Sequence, residues 1–298
     1  MNRYAVIDLG TNTFHLLIVG ENRQKIYQER QFVKLAENGI ERIGEKPFQR
    51  GIHTMLHFHL VLQKFNVQQI QAFGTAALRT ASNGAAFIEE VEESTGIEVQ
   101  LISGEREAAL IQKGVALAIP PLDTNSLIMD IGGGSVEFII ANQHQVFWAQ
   151  SFPIGVAVLY RQFQQNDPIT REEVQTLEQF LHDRLASLRQ AVQQYGVSQF
   201  VGASGTFDVL EDNLPHLEAG EHYCVISAKD FFKYYQYTIF TTVAERLNRK
   251  DIPEARAELL VVAFVLIAFL LKQHQFQQII ISEFAMKEGM LAEMFEFK

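Results

Sequence analysis

Two short stretches carry the residues best suited to chemistry. Positions 5–20 read AVIDLGTNTFHLLIVG, and positions 127–140 read LIMDIGGGSVEFII. They align without a gap, with Asp8 on Asp130, Gly10 on Gly132, Thr13 on Ser135, His15 on Glu137 and Ile18 on Ile140. In each, an apolar strand-forming run meets an aspartate and then gives way to small residues. A glycine-rich turn between two strands presents consecutive backbone N–H groups with no Cβ over them, which makes an anion site. Gly10, Thr11, Asn12 and Thr13, and in the second copy Gly132, Gly133, Gly134 and Ser135, are the phosphate-binding candidates. Thr13 and Ser135 add hydroxyl donors. An aspartate beside a phosphate is repulsive unless a cation lies between them, so Asp8 and Asp130 read as Mg²⁺ ligands, direct or through water. A single such turn is as readily a tight hairpin and nothing more. Two in-register copies, each with its aspartate, favour the chemical reading.

The elements around these turns must hold them. A chain of 298 residues suits two domains better than one core. Apolar residues at 47% and charged ones at 20% are ordinary for a soluble globular protein. Strand and helix patterns alternate, which points to layered α/β domains. The break PPLDTN at 120–125 directly precedes the second copy and marks the expected boundary, with domains over 1–122 and 123–283. Helical periodicity covers 47–67, the segment from Ser82 to Gly96, and the segment after SGEREAAL. Thr170 and Glu173 form a capping-box pattern opening one long helix to about 195. The most apolar run, 259–271, has 13 residues, short of the ~20 that a membrane span needs. It reads as a helix buried on all sides.

Composition also narrows the function. The single cysteine, Cys224, excludes an intrachain disulfide and a thiolate metal cage, so a cytoplasmic setting is expected. The opening MNRYAVIDLG enters a strand pattern at once, which leaves no room for a signal peptide. A net charge of −10 without any basic block argues against binding a nucleic-acid polymer, and no membrane segment is expected. His53 and His57 stand at a zinc-compatible helical spacing, yet no acidic residue lies at the expected neighbouring positions, so a packing helix is the better reading. The aromatic run FFKYYQY at 231–237 reads as a helix's core and surface, not as a base-stacking platform.

Beyond the repeated turns, the segments GTAALRTASNGAAFIEEVEESTGIEVQLISGEREAAL, DIGGGSVEF, SFPIGVAVLYRQF, GASGTFDVL and SEFAMKEGML follow one another in a fixed order. In that order they resemble the exopolyphosphatase / guanosine pentaphosphate phosphohydrolase family of the actin-like ATPase superfamily, in its short form. The resemblance implies two actin-like (ribonuclease H-like) domains, each a mixed sheet flanked by helices, with a cleft between them. The C-terminal helix, 284–298, is expected to pack back on the first domain.

The resemblance also implies roles. Glu107, in SGEREA, would be the base that orients and deprotonates water. Arg79 would contact phosphate, and Glu137 would join Asp8 and Asp130 around Mg²⁺. Gly205 and Thr206, in ASGT, resemble a third phosphate-binding turn, and Lys34 stands where relatives often carry a basic residue. Two departures stand out. Arg106 replaces the first glutamate of the S-G-x-E-E-A pattern, which sets a cation beside Glu107 in sequence, and KEG at 287–289 replaces R-E-G.

Without the resemblance, Glu107 reads more readily as a first-turn glutamate complementing a helix dipole, and Arg79 as a solvated surface residue. The activity implied is release of terminal phosphate from polyphosphate, with guanosine pentaphosphate as the alternative substrate, by a homodimer. The rival readings are an actin-fold kinase and a non-catalytic sensor of polyphosphate or guanosine alarmones.

Overall fold

The computed structural model describes residues 2–37, 39–121, 124–203 and 205–296. Strands β1 (Arg3–Leu9), β2 (Thr13–Gly20) and β3 (Lys25–Phe32) run first, followed by α1 (Glu45–Lys64) and β4 (Gln69–Gly74). Helices α2 (Ala76–Thr80) and α3 (Gly84–Thr95), strand β5 (Val99–Leu101) and helix α4 (Gly104–Ala118) come next. The second series opens with β6 (Ser126–Ile131), β7 (Val136–Ala141) and β8 (Val146–Phe152), then α5 (Val156–Phe163), α6 (Arg171–Arg184) and α7 (Ala186–Tyr195). It continues through β9 (Gln199–Ala203), α8 (Gly205–Asn213), β10 (His216–Ala219), β11 (Tyr223–Ser227), α9 (Ala228–Thr238) and α10 (Val243–Leu247). Last come α11 (Glu254–Ala257), α12 (Leu260–His274), β12 (Gln278–Ser282) and α13 (Met286–Glu296).

By internal contacts the chain divides into two compact units. One comprises Met1–Gly114, Gly132–Gly134 and Met286–Lys298; the other comprises Val115–Ile131 and Ser135–Ala285. The break expected within PPLDTN includes Leu122 and Asp123, which lie outside the described residues.

The first unit is built on a mixed sheet of order β3-β2-β1-β4-β5. Its central strand β1 pairs antiparallel with β2 and parallel with β4. A central strand covered on both faces needs a near-continuous apolar run, and Tyr4 to Ile7 are all buried. The edge strand β3 instead alternates exposed with half-buried residues. Helices α1 and α3 supply Ile52, Met55, Phe58, Phe87 and Val91 to this core. Gly96 ends α3 in the left-handed region, φ 68°, where a side chain would be strained. Helix α13 returns to β1, with Phe295 edge-on to Tyr4 at 4.9 Å.

The second unit carries a mixed sheet of order β10-β11-β12-β9-β6-β7-β8. Helix α12 is buried at every position from Leu260 to Leu271, as its all-apolar sequence requires. The Thr170–Glu173 capping box is complete, with both reciprocal bonds made. The single long helix expected beyond it is broken at Leu185, which ends α6 and begins α7. Leu177, Leu181, Leu185, Leu188 and Val192 all stay buried through the break, so the bend keeps one apolar stripe on the core.

Candidate active site

The first turn is built by backbone geometry. Gly10 N–H donates to Thr13 O at 3.0 Å, and a Cβ on Gly10 would sit 2.8 Å from that same oxygen. Glycine is therefore required by the turn itself, and its N–H is committed to it. The carbonyl of Asn12 accepts from the N–H groups of Val33 and Lys34, and that of Thr11 accepts from Leu35. Lys34 takes a left-handed backbone, φ 50°, at this docking point. Turn carbonyls tied to a neighbouring segment leave the turn's outer surface to its N–H groups. Within this unit Gly133 and Gly134 pack against the same loop. A Cβ on Gly133 would lie 2.5 Å from Asn12 Cγ, and one on Gly134 would lie 2.7 Å from Thr11 Oγ1.

Arg79 and Glu107 meet in the first unit as well. Arg79 Nη1 donates to Ile102 O at 2.6 Å and lies 3.4 Å from Glu107 Oε2. Glu107 is only 7% exposed and sits in the first turn of α4. That turn is capped by Ser103, whose hydroxyl accepts from Arg106 N at 3.1 Å. The carboxylate thus stands at the positive end of a helix dipole with a guanidinium beside it. Arg106, next to Glu107 in sequence, instead clasps Glu293 of α13 through both terminal nitrogens. Residue i+1 on a helix points about 100° round the axis, so sequence adjacency to a base does not make a charge neighbour.

The KEG segment also has a packing reason. A Cβ on Gly289 would collide with the Leu110 carbonyl of α4, so this glycine lets α13 lie directly on the helix that bears Glu107. Lys287 pairs with Glu288 at 2.9 Å, both side chains being largely buried.

In the second unit Asp130 faces Glu137 across the β6–β7 pair, and Glu137 faces Ser151 across β7–β8. Directly opposed residues project from the same face of a sheet. Glu137 is 1% exposed, and its Oε1 accepts from Ser135 Oγ at 2.5 Å and from Ser151 Oγ at 2.7 Å. The Ser135 hydroxyl hydrogen is thus directed to Glu137. Thr206 is buried in the first turn of α8. Ser204, beside it in the ASGT stretch, lies outside the described residues. The guanidinium of Arg256 fills the space where a Cβ on Gly205 would stand. Arg256 was missed in the sequence, since 51 residues separate it from Gly205 and no local pattern links them.

Among the described residues no group of three or more His, Cys, Asp or Glu side chains is arranged to hold a metal ion. His53 and His57 line a groove of about 670 Å³ between α1 and β3. His57 Nε2 lies 3.0 Å from both Glu29 oxygens. Burial works to raise the Glu29 pKa, but hydrogen bonds from Tyr27, Gln31 and His57 outweigh it and hold it below the usual carboxylate range. This histidine is a partner for a carboxylate, as a packing helix allows. No helix of the described residues is long and apolar enough to cross a membrane.

The family model described as the Ppx/GppA phosphatase family matches residues 17–297. The chain belongs to that family. Its structure is similar to that of an exopolyphosphatase from Cytophaga hutchinsonii, with a TM-score of 0.93 and 36% identity over 99% of this chain and 98% of the other. A Ppx/GppA family member from Aquifex aeolicus aligns with a TM-score of 0.80 and 24% identity, over 100% of this chain and 99% of that one. The expected fold class, two mixed sheets flanked by helices in the actin-like manner, is borne out. So is the expected enzyme class, a hydrolase acting on phosphoanhydrides.

Proposed function

We propose that this Ppx/GppA phosphatase is an Mg²⁺-dependent exopolyphosphatase that releases the terminal phosphate of inorganic polyphosphate. The observation that carries the reading is the Arg79–Glu107 pair: a nearly buried carboxylate at a helix start, with a guanidinium 3.4 Å away. In this reading Glu107 orients the attacking water and takes its proton, and Arg79 neutralises charge that develops on the phosphoryl oxygens. Backbone N–H groups of the turns Thr11–Thr13 and Gly133–Ser135 hold the phosphate, with Gly10 and Gly132 shaping the turn ends. Gly205 and Thr206 form a further phosphate-binding turn, with Arg256 beside it. Asp8, Asp130 and Glu137 fit a water-rich Mg²⁺, directly or through its waters. That ion would lower the charge of the bound anhydride and favour in-line displacement. The similarity to the Cytophaga hutchinsonii exopolyphosphatase supports polyphosphate as the substrate over guanosine pentaphosphate.

The test is phosphate release with Mg²⁺ from polyphosphate and from guanosine pentaphosphate, for the wild type and Glu107→Gln. Wild-type turnover that falls at least ~10²-fold in the variant, the low end for a general base, is the expected result. A larger kcat/KM on guanosine pentaphosphate would rename the substrate. Tight binding without turnover by either protein would overturn the catalytic reading in favour of a sensor, and a phosphorylated acceptor in place of free phosphate would make the protein a kinase.

A further inference from the structure

Among the described residues Arg246 has the largest fully buried side chain, and nothing in the proposed chemistry uses it. A buried guanidinium is costly, and an apolar residue of similar volume is often neutral or stabilising in its place. Its burial pulls its pKa down, against the opposing influence of Asp167 and Tyr160. Among the described residues its Nη2 has no hydrogen-bond partner, so the site does not even satisfy the group fully. A residue kept under those conditions needs a reason in what it holds.

Its bonds supply one. Arg246 Nε donates to the carbonyl of Ala257 at 2.5 Å, and Nη1 donates to the carbonyl of Thr241. Ala257 follows Arg256, whose guanidinium lies over Gly205 at the start of α8. The segment bearing Arg256 is the single turn α11, four residues long between Pro253 and Glu258. One turn has little helical stability of its own. Its position depends on outside anchors, and the Arg246 bond to Ala257 O is one placed next to Arg256. Arg246 is itself fixed from behind. The Thr242–Glu245 capping box starts α10, and Asp167 accepts from Val243 N at 2.9 Å.

We propose that Arg246 is a positioning residue that holds α11 through the Ala257 carbonyl, so that Arg256 stays at the Gly205–Thr206 turn and binds phosphate there. The proposal deepens the reading of that turn as a phosphate site and rests on it. Arg246 itself touches no substrate.

Two readouts test it. The first is thermal stability, independent of any substrate. With Arg246 in place, Gly205→Ala drives a Cβ into a guanidinium that is held, and the melting temperature should fall by several degrees. In an Arg246→Met background Arg256 is released, and the same glycine change should lower the melting temperature by less than half as much. Equal shifts in both backgrounds would overturn the positioning claim, whatever the turn binds. The second readout is kinetic. Arg246→Met should raise KM for polyphosphate about 5- to 10-fold with kcat within about 2-fold, and should add nothing on top of Arg256→Ala. A further multiplicative loss in that double variant, or an unchanged KM in Arg246→Met, would also overturn the proposal. Should Arg256→Ala alone leave KM unaltered while the stability coupling holds, the phosphate reading of the turn fails and only the anchoring stands. Arg246→Lys, which keeps the charge but not the fork, carries both measurements if the methionine variant does not fold.

Discussion

The two hairpins share a backbone plan and differ in the row of side chains behind the turn. In the first, the strand register sets Asp8 opposite His15 and His15 opposite Arg30. In the second, the equivalent row is Asp130, Glu137 and Ser151. The first row alternates an acid with groups able to carry positive charge, so it is balanced from within. The second sets two carboxylates side by side, one 9% and the other 1% exposed, with a serine as third member. Like charges directly opposite on a sheet are destabilising unless something intervenes. Two copies of one unit have thus diverged in electrostatics while keeping their turn geometry. The second copy thus sets two carboxylates on one face where the first sets one.

The comparison breaks if the equivalent residues of the two rows matter equally. Glu137→Gln removes a carboxylate that two serine hydroxyls orient, and should lower kcat on polyphosphate by ~10–100-fold, the usual loss for groups that tune a metal site. His15→Asn should stay within about 3-fold of wild type, because in the proposed site Asp8 is the only member of its row assigned to the cation. Steady-state phosphate release across an Mg²⁺ titration checks both. A loss in His15→Asn as large as in Glu137→Gln would mean that both hairpins carry the metal function.

The turns themselves can be compared by glycine replacement. Alanine at Gly10 meets a backbone carbonyl, that of Thr13, which cannot give way without opening the turn. A loss of about 1–3 kcal/mol in urea-denaturation stability is expected there. Alanine at Gly133 meets the side-chain amide of Asn12, which can rotate. Its loss should be under about 1 kcal/mol and should shrink further on an Asn12→Ala background. Equal losses at the two glycines would show that the Asn12 side chain is held as firmly as backbone.

What could be read from the sequence was local. The turn repeat, the buried helix α12 and the Thr170 cap each declare themselves within a few residues, because hydrophobic period, glycine and capping spacing act at that range. The strands β3, with KIYQERQF, and β10, with HLEA, gave no such signal. Edge strands need little apolar content, and these two are largely polar on the surface they show. The break at Leu185 was hidden for the opposite reason, since an apolar stripe continues through it unchanged. Contacts between distant segments were the least legible. Arg106 finds Glu293 across 187 positions, and Arg256 reaches Gly205 from a helix of one turn. A cation next to a candidate base in sequence is therefore not its neighbour in space, and the arginine beside the third turn was not singled out at all. Glu107 and Arg79 came from the order of family motifs; their 3.4 Å approach is a property of the fold.

The smallest effect is also the most direct probe of the two rows. If Asp130 and Glu137 repel each other in the folded state, neutralising one should stabilise the protein while it damages function. Asp130→Asn keeps the shape of the side chain and removes one charge from the pair. Relief of about 1 kcal/mol is expected, enough to raise the melting temperature by about 2–4 °C in a chain of this size when no divalent cation is present. Mg²⁺ should raise the melting temperature of the wild type and raise that of Asp130→Asn less, because binding to the folded state stabilises it by mass action. Asp8→Asn should do the reverse without cation, lowering stability slightly, since no second carboxylate stands opposite Asp8 and its row also holds Arg30. Melting curves with chelator and with Mg²⁺ settle both signs. A fall in Asp130→Asn equal to that in Asp8→Asn would mean that the second row is balanced from within after all, and the electrostatic contrast between the hairpins would be withdrawn.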